Sequence, residues 1–197
     1  MDTKSIRNLI TIIFCALFSI ISGRDAFAQS ASKEGVAIKS LEITKTKPPD
    51  FSYGGIVPEA NIISADWAKL LVRFDTDADW TDQLEMRFYI VVKNSKTATF
   101  TMFTGKYVYS DISKGYNHLV AVYLRPRTME RYGNMVEQVA VEIYYKGEVV
   151  SVKSFPASNN PWWRTANVRS VEGYVLDRSQ TPFANIASYN YELPRGK

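Results

Sequence analysis

The sequence predicts an all-β fold, an antiparallel β-sandwich of about seven or eight strands with one short helix and an irregular C-terminal tail. Three observations predict this fold. Apolar residues alternate with a period of two instead of recurring every three or four residues. Turn-forming residues separate runs of strand length, and no long helical pattern lies between them. Two sheets that each turn an apolar face inward satisfy this pattern.

Three segments carry the clearest alternation. In residues 84–93, every second side chain from Leu84 to Val92 is apolar, and most of the intervening side chains are polar or charged. Residues 70–75 and 138–145 alternate in the same way. One face of each segment should therefore lie in the core, so all three are predicted to be half-buried strands.

Weaker strand candidates complete the count, and they cover residues 38–45, 99–109, 118–125, 148–153 and 170–176. The predicted turns between strands lie at residues 93–96, 113–115 and 146–147, and the last is short enough to make residues 139–153 a hairpin.

One helix and one irregular segment are predicted as well. Residues 127–132 should form a short helix, because Pro126 suits a helix start and Gly133 a helix end. From residue 155 onward, prolines fall among Asn, Ser and Trp residues, which is typical of a segment that wraps across a sandwich.

The N-terminus has the three parts of an export signal. Basic residues come first, followed by an apolar run at residues 9–21 and the small-residue sequence Ala26-Phe27-Ala28. The run has about 13 residues, whereas a membrane-spanning helix needs roughly 20. We therefore expect residues 1–28 to be a cleaved signal peptide, with an uncleaved anchor as the alternative. Residues 29–197 should form a single β-sandwich domain that is secreted to the periplasm or the cell surface.

Composition excludes several chemistries. Cys15 is the only cysteine and lies in the apolar run, so the exported chain would have no disulfide, no Cys-ligated metal and no thiol nucleophile. His118 is the only histidine, which leaves too few residues for a multi-histidine metal site. We interpret it as a residue at a strand edge that is either hydrogen-bonded or exposed to water, with a general base as the alternative. The net charge of +4, without a run of like charges, does not indicate nucleic acid as a partner.

Catalytic motifs are not visible either. The chain has no glycine-rich phosphate loop and no G-x-S-x-G elbow. We therefore expect no enzymatic activity, no catalytic residues and no cofactor. The alternative is a hydrolase with a carboxylate pair that the sequence does not mark.

One acidic stretch resembles the start of a calcium loop. Asp75, Asp77 and Asp79 stand at alternate positions, as carboxylates do when they converge on a hard cation. However, an EF-hand loop needs glycine and glutamate where this chain has Trp80 and Met86. We interpret the stretch as an acidic turn between two strands, and these three aspartates as a weak calcium candidate.

Aromatic residues make up 13% of the chain, and the candidate interaction residues are two adjacent tryptophans and the arginine after them, Trp162, Trp163 and Arg164. On an extended segment the two neighbouring rings would diverge, so that one packs on the sandwich and the other faces solvent. In a helical turn after Pro161 the rings would point about 100° apart. Such rings could contact a protein partner or stack on a glycan.

Five segments together resemble a known family. They are "SLEITKTKPPDFSYGG" at 40–55, "DWAKLLVRFD" at 66–75, "LRPRTMERYG" at 124–133, "PWW" at 161–163 and "DRSQTPFA" at 177–184. In this order they are similar to small exported proteins that are encoded beside type IV pilus components in verrucomicrobial bacteria.

The resemblance implies an immunoglobulin-like β-sandwich and an accessory role near a pilus or secretion assembly. It supplies no catalytic residues. We therefore expect a non-enzymatic envelope protein that acts by protein–protein contact, with an unpaired sheet edge as the natural docking surface. A glycan-binding module with exposed Trp and Tyr residues is the alternative. No membrane contact is expected after the signal is removed.

Overall fold

The computed structural model describes residues 35–49, 65–187 and 190–195. The predicted signal peptide, residues 1–28, lies outside these residues. Within the described ranges, no helix is both long enough and apolar enough to cross a membrane.

Strands dominate the described residues, and they form a single hydrogen-bonded sheet. In chain order they are β1 (Val36–Thr46), β2 (Trp67–Lys93), β3 (Phe100–Leu124), β4 (Met135–Tyr145), β5 (Glu148–Phe155), β6 (Arg169–Glu172) and β7 (Leu176–Asp177). Every strand pair is antiparallel except β3 with β6. The predicted all-β, antiparallel fold is therefore confirmed.

In the described residues, two short α-helices interrupt the strands and one 3-10 helix (Arg178–Gln180) follows them. Helix α1 (Pro126–Tyr132) is the helix that the sequence predicts, with Pro126 in its first turn and Gly133 at its C-cap. Its Thr128 and Met129 are buried, which fixes the helix against the end of the core. The second helix, α2 (Trp162–Thr165), is a single turn after Pro161.

Strands β2 and β3 are unusually long, at 27 and 25 residues, and each runs through a bend. Before the bend, β2 pairs with β1, and after it β2 pairs with β4, while β3 follows β2 along both halves. The ladder shifts register twice between Phe74 and Trp80, where β2 has more residues than β3. Extra residues of this kind bend a strand without ending it.

The bend corrects two predictions from the sequence. Residues 75–79 and 113–115 are not turns between separate strands, because both lie within continuous strands. The acidic stretch 75–79 on β2 lies opposite the glycine-containing stretch 113–115 on β3, and the bend occurs there. The four strands predicted on either side of these stretches are therefore two long strands, β2 and β3. The turns predicted near residues 93–96 and at 146–147 are present.

The core lies between the two halves of the bent sheet. Val72 and Phe74 come from the first half of β2, and Leu84, Met86 and Phe88 come from the second half; all five are fully buried in one cluster. The alternation of apolar residues predicted this inward face. The folded sheet therefore has the two layers of a β-sandwich, with β2 and β3 shared between the layers.

The side of the sandwich between β1 and β5 is closed by a few polar contacts. The Ile38 N–H donates a hydrogen bond to Ser151 Oγ at 3.0 Å, and Lys153 Nζ donates to the Lys39 carbonyl at 2.6 Å. β1 and β5 form no ladder with each other in the described residues, so the two edges meet only near these positions.

The C-terminal tail, residues 166–187 and 190–195, follows the outer edge of β3, which confirms the predicted wrapping. β6 pairs with residues 101–104 and β7 with residues 122–123. Farther along, the Glu192 N–H donates to the Leu119 carbonyl and the Arg195 N–H to the Val108 carbonyl, each at 2.8 Å. The tail thus satisfies backbone groups of β3 on both sides of the bend.

A stack of aromatic rings attaches the tail to the first half of the sheet. Phe183 is buried and stacks on Tyr123, with ring centroids 4.8 Å apart and ring planes 8° apart. Trp67 meets Phe183 edge-on at 5.7 Å. This cluster is separate from the main core, and Phe183 is the tail residue buried in it.

We predict that Phe183→Ala lowers the free energy of unfolding by about 3 kcal/mol, because it removes a buried ring and leaves a cavity against Tyr123. Urea denaturation measures the change. Ile186→Ala is the matched control, since Ile186 lies in the same tail but is 45% exposed, and it should cost less than about 0.5 kcal/mol. Equal losses in the two variants would show that the tail contributes nothing through this stack.

Candidate functional site

The two adjacent tryptophans lie in helix α2, on the outer face of the second half of the sheet. Of the two arrangements that the sequence left open, the helical turn after Pro161 is the one that forms. Trp163 is buried against Val91, Met102 and Ala140, while Trp162 is half-buried. The two rings meet edge to face, with centroids 5.4 Å apart. Trp163 is therefore an anchor of the segment after β5.

A buried carboxylate, that of Glu142 on β4, binds this anchor. Glu142 has no exposed surface. Its Oε1 accepts hydrogen bonds from the Trp163 indole N–H at 2.8 Å and from Arg164 Nε at 2.9 Å, and Arg164 Nη2 lies 2.6 Å away. Its Oε2 accepts from the Tyr144 hydroxyl at 2.8 Å and the Tyr89 hydroxyl at 3.2 Å. Both oxygens are thus fully engaged.

These contacts set the protonation of the cluster. Burial by itself would raise the pKa of Glu142, but the hydrogen bonds from Trp163, Tyr144 and Arg164 outweigh it, so the pKa lies below its ordinary value of 4.5. Burial and the Glu142 charge raise the pKa of Tyr89 to about 12. The carboxylate is therefore ionised and the Tyr89 hydroxyl protonated at neutral pH.

The sequence did not reveal this role of Glu142. The alternation in residues 138–145 correctly turns Glu142 away from the main core. In the structure, helix α2 covers that outer face, so Glu142 is buried outside the main core. The signal that could have suggested it is chemical: Trp163 and Arg164 both carry N–H donors and need an acceptor when they pack on a sheet.

A groove of about 890 Å³ opens beside this anchor, on the outer face of β2 and β3. One wall is Trp163, and Ser170, Glu172 and Gln180 of the tail line the other side. The floor includes Arg87, Tyr89, Thr104 and Lys106. The tail therefore forms part of the groove as well as closing the edge of β3.

Charges on the groove floor are mutually paired. Glu85 lies 2.7 Å from Arg87 Nη2 and 2.8 Å from Lys106 Nζ, and the Arg87 guanidinium stacks on the Tyr144 ring at 4.0 Å. Burial would raise the pKa of Glu85, but hydrogen bonds from Lys106 and Arg87 lower it overall. Carboxyls with lowered pKa values do not serve as general acids, which need a raised pKa.

The three aspartates of the weak calcium candidate, Asp75, Asp77 and Asp79, lie in different environments. Asp75 is buried, accepts the Asn117 N–H at 2.8 Å and pairs with Lys39 at 3.1 Å. Asp77 and Asp79 are exposed at the bend of β2. Among the described residues, no group of three or more His, Cys, Asp or Glu side chains could hold a metal ion. Asp75 instead stabilises the bend.

His118 is hydrogen-bonded, which is one of the two states that the sequence left open. Its Nδ1 lies 2.8 Å from Glu192 Oε1 in the tail, and its Nε2 lies 3.2 Å from Thr76 Oγ1 at the bend. The imidazole also packs at 5.2 Å from the Phe74 ring. His118 thus connects the tail, the bend and the core.

We predict that Glu142→Gln reduces the pH dependence of stability in acid. Because the folded pKa of Glu142 lies below its ordinary value of 4.5, the ionised carboxylate stabilises the fold above that value, and this contribution is lost as the pH falls through the lower, folded pKa. At pH 7 the substitution should cost about 1–3 kcal/mol, because buried donors lose their charged acceptor.

Urea denaturation at several pH values between about 3 and 7 measures the effect. The difference between wild type and Glu142→Gln should shrink as the pH falls. Glu148→Gln is the control, because Glu148 is exposed on the neighbouring strand. A constant difference across the pH range would contradict the predicted protonation of Glu142.

Comparison with known proteins places the chain in a family. A protein-family model matches residues 27–196. A crystal structure of a protein from Akkermansia muciniphila, a verrucomicrobial bacterium, matches with a TM-score of 0.70 at 20% sequence identity, over 83% of this chain and 94% of that chain. At this identity the likeness shows the fold alone. No curated protein matches the chain. The chain therefore belongs to the protein family whose model spans residues 27–196.

Proposed function

We propose that this protein is a non-enzymatic, exported accessory component of the cell envelope that acts by protein–protein contact in a type IV pilus or secretion assembly. The sequence resemblance supports the setting, and the fold shared with a verrucomicrobial protein agrees with the β-sandwich that the resemblance implies. In this proposal the sandwich is immunoglobulin-like and lies in the periplasm or at the cell surface. The main support for the proposal is that the backbone groups along one edge of the sheet have no partner strand in the described residues.

The outer edge of β1 is an edge that can accept a partner strand. β1 pairs with β2 along one side only. In the part of the chain that the structure describes, residues 40–46 make no backbone hydrogen bond on the other side. The outer edge of β3, in contrast, is closed by the tail. Unpaired N–H and C=O groups of an edge strand favour the addition of another strand.

Side chains of β1 indicate what kind of strand would fit. Leu41 and Ile43 are half-buried and pack against the main core, while Glu42, Thr44 and Lys45 are exposed. An added strand would continue both faces of the sheet. The partner segment should therefore alternate apolar residues, placed beside Leu41 and Ile43, with polar residues on the outer face.

The alternatives from the sequence have less support in the structure. Trp163, a residue proposed to stack on sugars, has its ring buried and its N–H bonded to Glu142. Among the described residues, the two most exposed aromatic side chains are instead Trp80 and Tyr116, at the bend. The carboxylate-pair hydrolase would need a general acid with a raised pKa, and the pKa values of Glu85 and Glu142 are both lowered, so these two residues do not fit that role. We therefore favour protein–protein contact.

Proline substitution at two adjacent residues of β1 tests the proposal. In an antiparallel ladder, neighbouring residues point their N–H groups in opposite directions. Of Thr44 and Lys45, one therefore donates toward β2 and the other toward the outer edge. Proline at the inward position should destabilise the fold by about 1 kcal/mol or more, because it removes a ladder hydrogen bond. Proline at the outward position should leave stability nearly unchanged.

Thermal unfolding identifies the stable variant, and affinity capture from envelope extracts of the native host then compares it with wild type. We expect wild type to capture pilus or secretion components, and the stable proline variant to retain them at least about tenfold more weakly. Lys45→Ala is the side-chain control and should capture normally. Capture of no such component by wild type, or equal capture by the stable proline variant, would refute the proposal.

A further inference from the structure

A second pocket, of about 300 Å³, lies at one end of the sandwich between helix α1 and the connection from β6 to β7. Three arginines line it, Arg125, Arg127 and Arg131, all from the segment that includes α1. On the opposite side the pocket is lined by Gly173, Tyr174 and Leu176 of the tail. This pocket is separate from the β1 edge that the proposed function uses.

The charge of this pocket is not balanced by the protein residues that line it. None of the side chains around it is acidic. Among the ion pairs of residues 35–49, 65–187 and 190–195, none includes Arg125, Arg127 or Arg131. Elsewhere in the described structure, cations such as Lys39, Arg87 and Arg164 lie within 3.1 Å of a carboxylate oxygen. The three arginines are exposed at the mouth of this pocket, and positive charges that line one pocket without an acidic neighbour among the lining residues attract an anion.

Two tyrosines add neutral donors to the pocket. The hydroxyl oxygens of Tyr132 and Tyr174 lie 3.3 Å apart, so one hydroxyl donates to the other. The accepting hydroxyl keeps its own proton free for a ligand. The hydrogen bond with Tyr132 raises the pKa of Tyr174, which keeps that hydroxyl protonated. Tyr132 is held in place by Phe103, whose ring centroid lies 5.3 Å away, and by Arg131, whose guanidinium lies 5.0 Å from the Tyr132 ring.

We propose that this pocket binds a tetrahedral oxyanion, a phosphate or sulfate group, through the three arginines and the tyrosine hydroxyl. Arginine presents paired N–H donors that match the oxygens of phosphate and sulfate. Three such side chains offer more donors than the two oxygens of one carboxylate accept, which favours the tetrahedral anion. The volume is at the low end for small-molecule sites, so the bound group is a free ion or the charged end of a small molecule.

Isothermal titration calorimetry with the purified protein tests the proposal. The probes are inorganic phosphate, inorganic sulfate, glucose 6-phosphate and glucose 6-sulfate, with acetate as the carboxylate comparison. We expect saturable binding of the tetrahedral anions, with acetate bound at least about tenfold more weakly. If the sugar esters bind more tightly than the free ions, the natural ligand is the charged group of a saccharide. If the free ions bind more tightly, the natural ligand is the free ion.

The matched variants separate this site from general electrostatic attraction. Arg127→Ala/Arg131→Ala removes two positive charges from the pocket. Lys96→Ala/Lys114→Ala removes two positive charges from exposed turn and bend residues. We expect binding to weaken by about tenfold or more in the arginine variant and by less than about twofold in the lysine variant. Thermal unfolding shows that both variants fold.

Two results would overturn the proposal. One is that wild type shows no saturable binding of phosphate or sulfate at concentrations up to about 10 mM, because a dissociation constant above this value is too weak for an ordinary small-molecule site. The other is an equal loss of affinity in the arginine and lysine variants, which would assign the binding to net charge. Neither result bears on the strand-addition test at β1, so the two proposals fail independently.

Discussion

The closure of the outer edge of β3 by the C-terminal tail is the constraint on which the other features depend. β3 is 25 residues long and bends, so one short strand cannot pair with its whole outer edge. The tail pairs with it near both ends and touches it twice between them. An uncovered edge of this length would be a site of uncontrolled pairing. With a single cysteine in the chain, packing and hydrogen bonds must hold the tail.

Three sets of contacts hold the tail and the segment that precedes it against the sheet. Trp163 and Arg164 bind the buried Glu142, Phe183 stacks on Tyr123, and Glu192 contacts His118 at the bend. Each attachment combines an aromatic or charged side chain with a different part of the sheet. The groove beside Trp163 and the pocket of arginines both lie between the sheet or α1 and this part of the chain. Release of the tail would therefore remove both cavities together.

The sequence predicted the parts of the fold that depend on local pattern. Alternation in residues 84–93 and 138–145 identifies strands and their inward faces, and Pro126 and Gly133 mark helix α1. It did not predict the bend, because glycine and acidic residues favour a turn and a bulge alike, and the choice depends on pairing between distant strands.

The sequence also did not predict the burial of Glu142, since the alternation shows which face a residue occupies but not what later covers that face. Trp162, Trp163 and Arg164 were recognised as a unit, but their acceptor lies on another strand.

Backbone hydrogen exchange tests most directly whether the tail is an integral part of the sandwich. The informative amides are those of Asp177, Glu192 and Arg195, compared with the amides of β2 and β3 in the core. If the tail closes β3 as described, the N–H groups of Glu192 and Arg195, which donate to β3 carbonyls, should be strongly protected, with opening free energies that approach those of the core strands. Exchange of these amides at the rate of an unstructured chain would contradict the account, because the tail would then be open while the rest of the sheet stays folded.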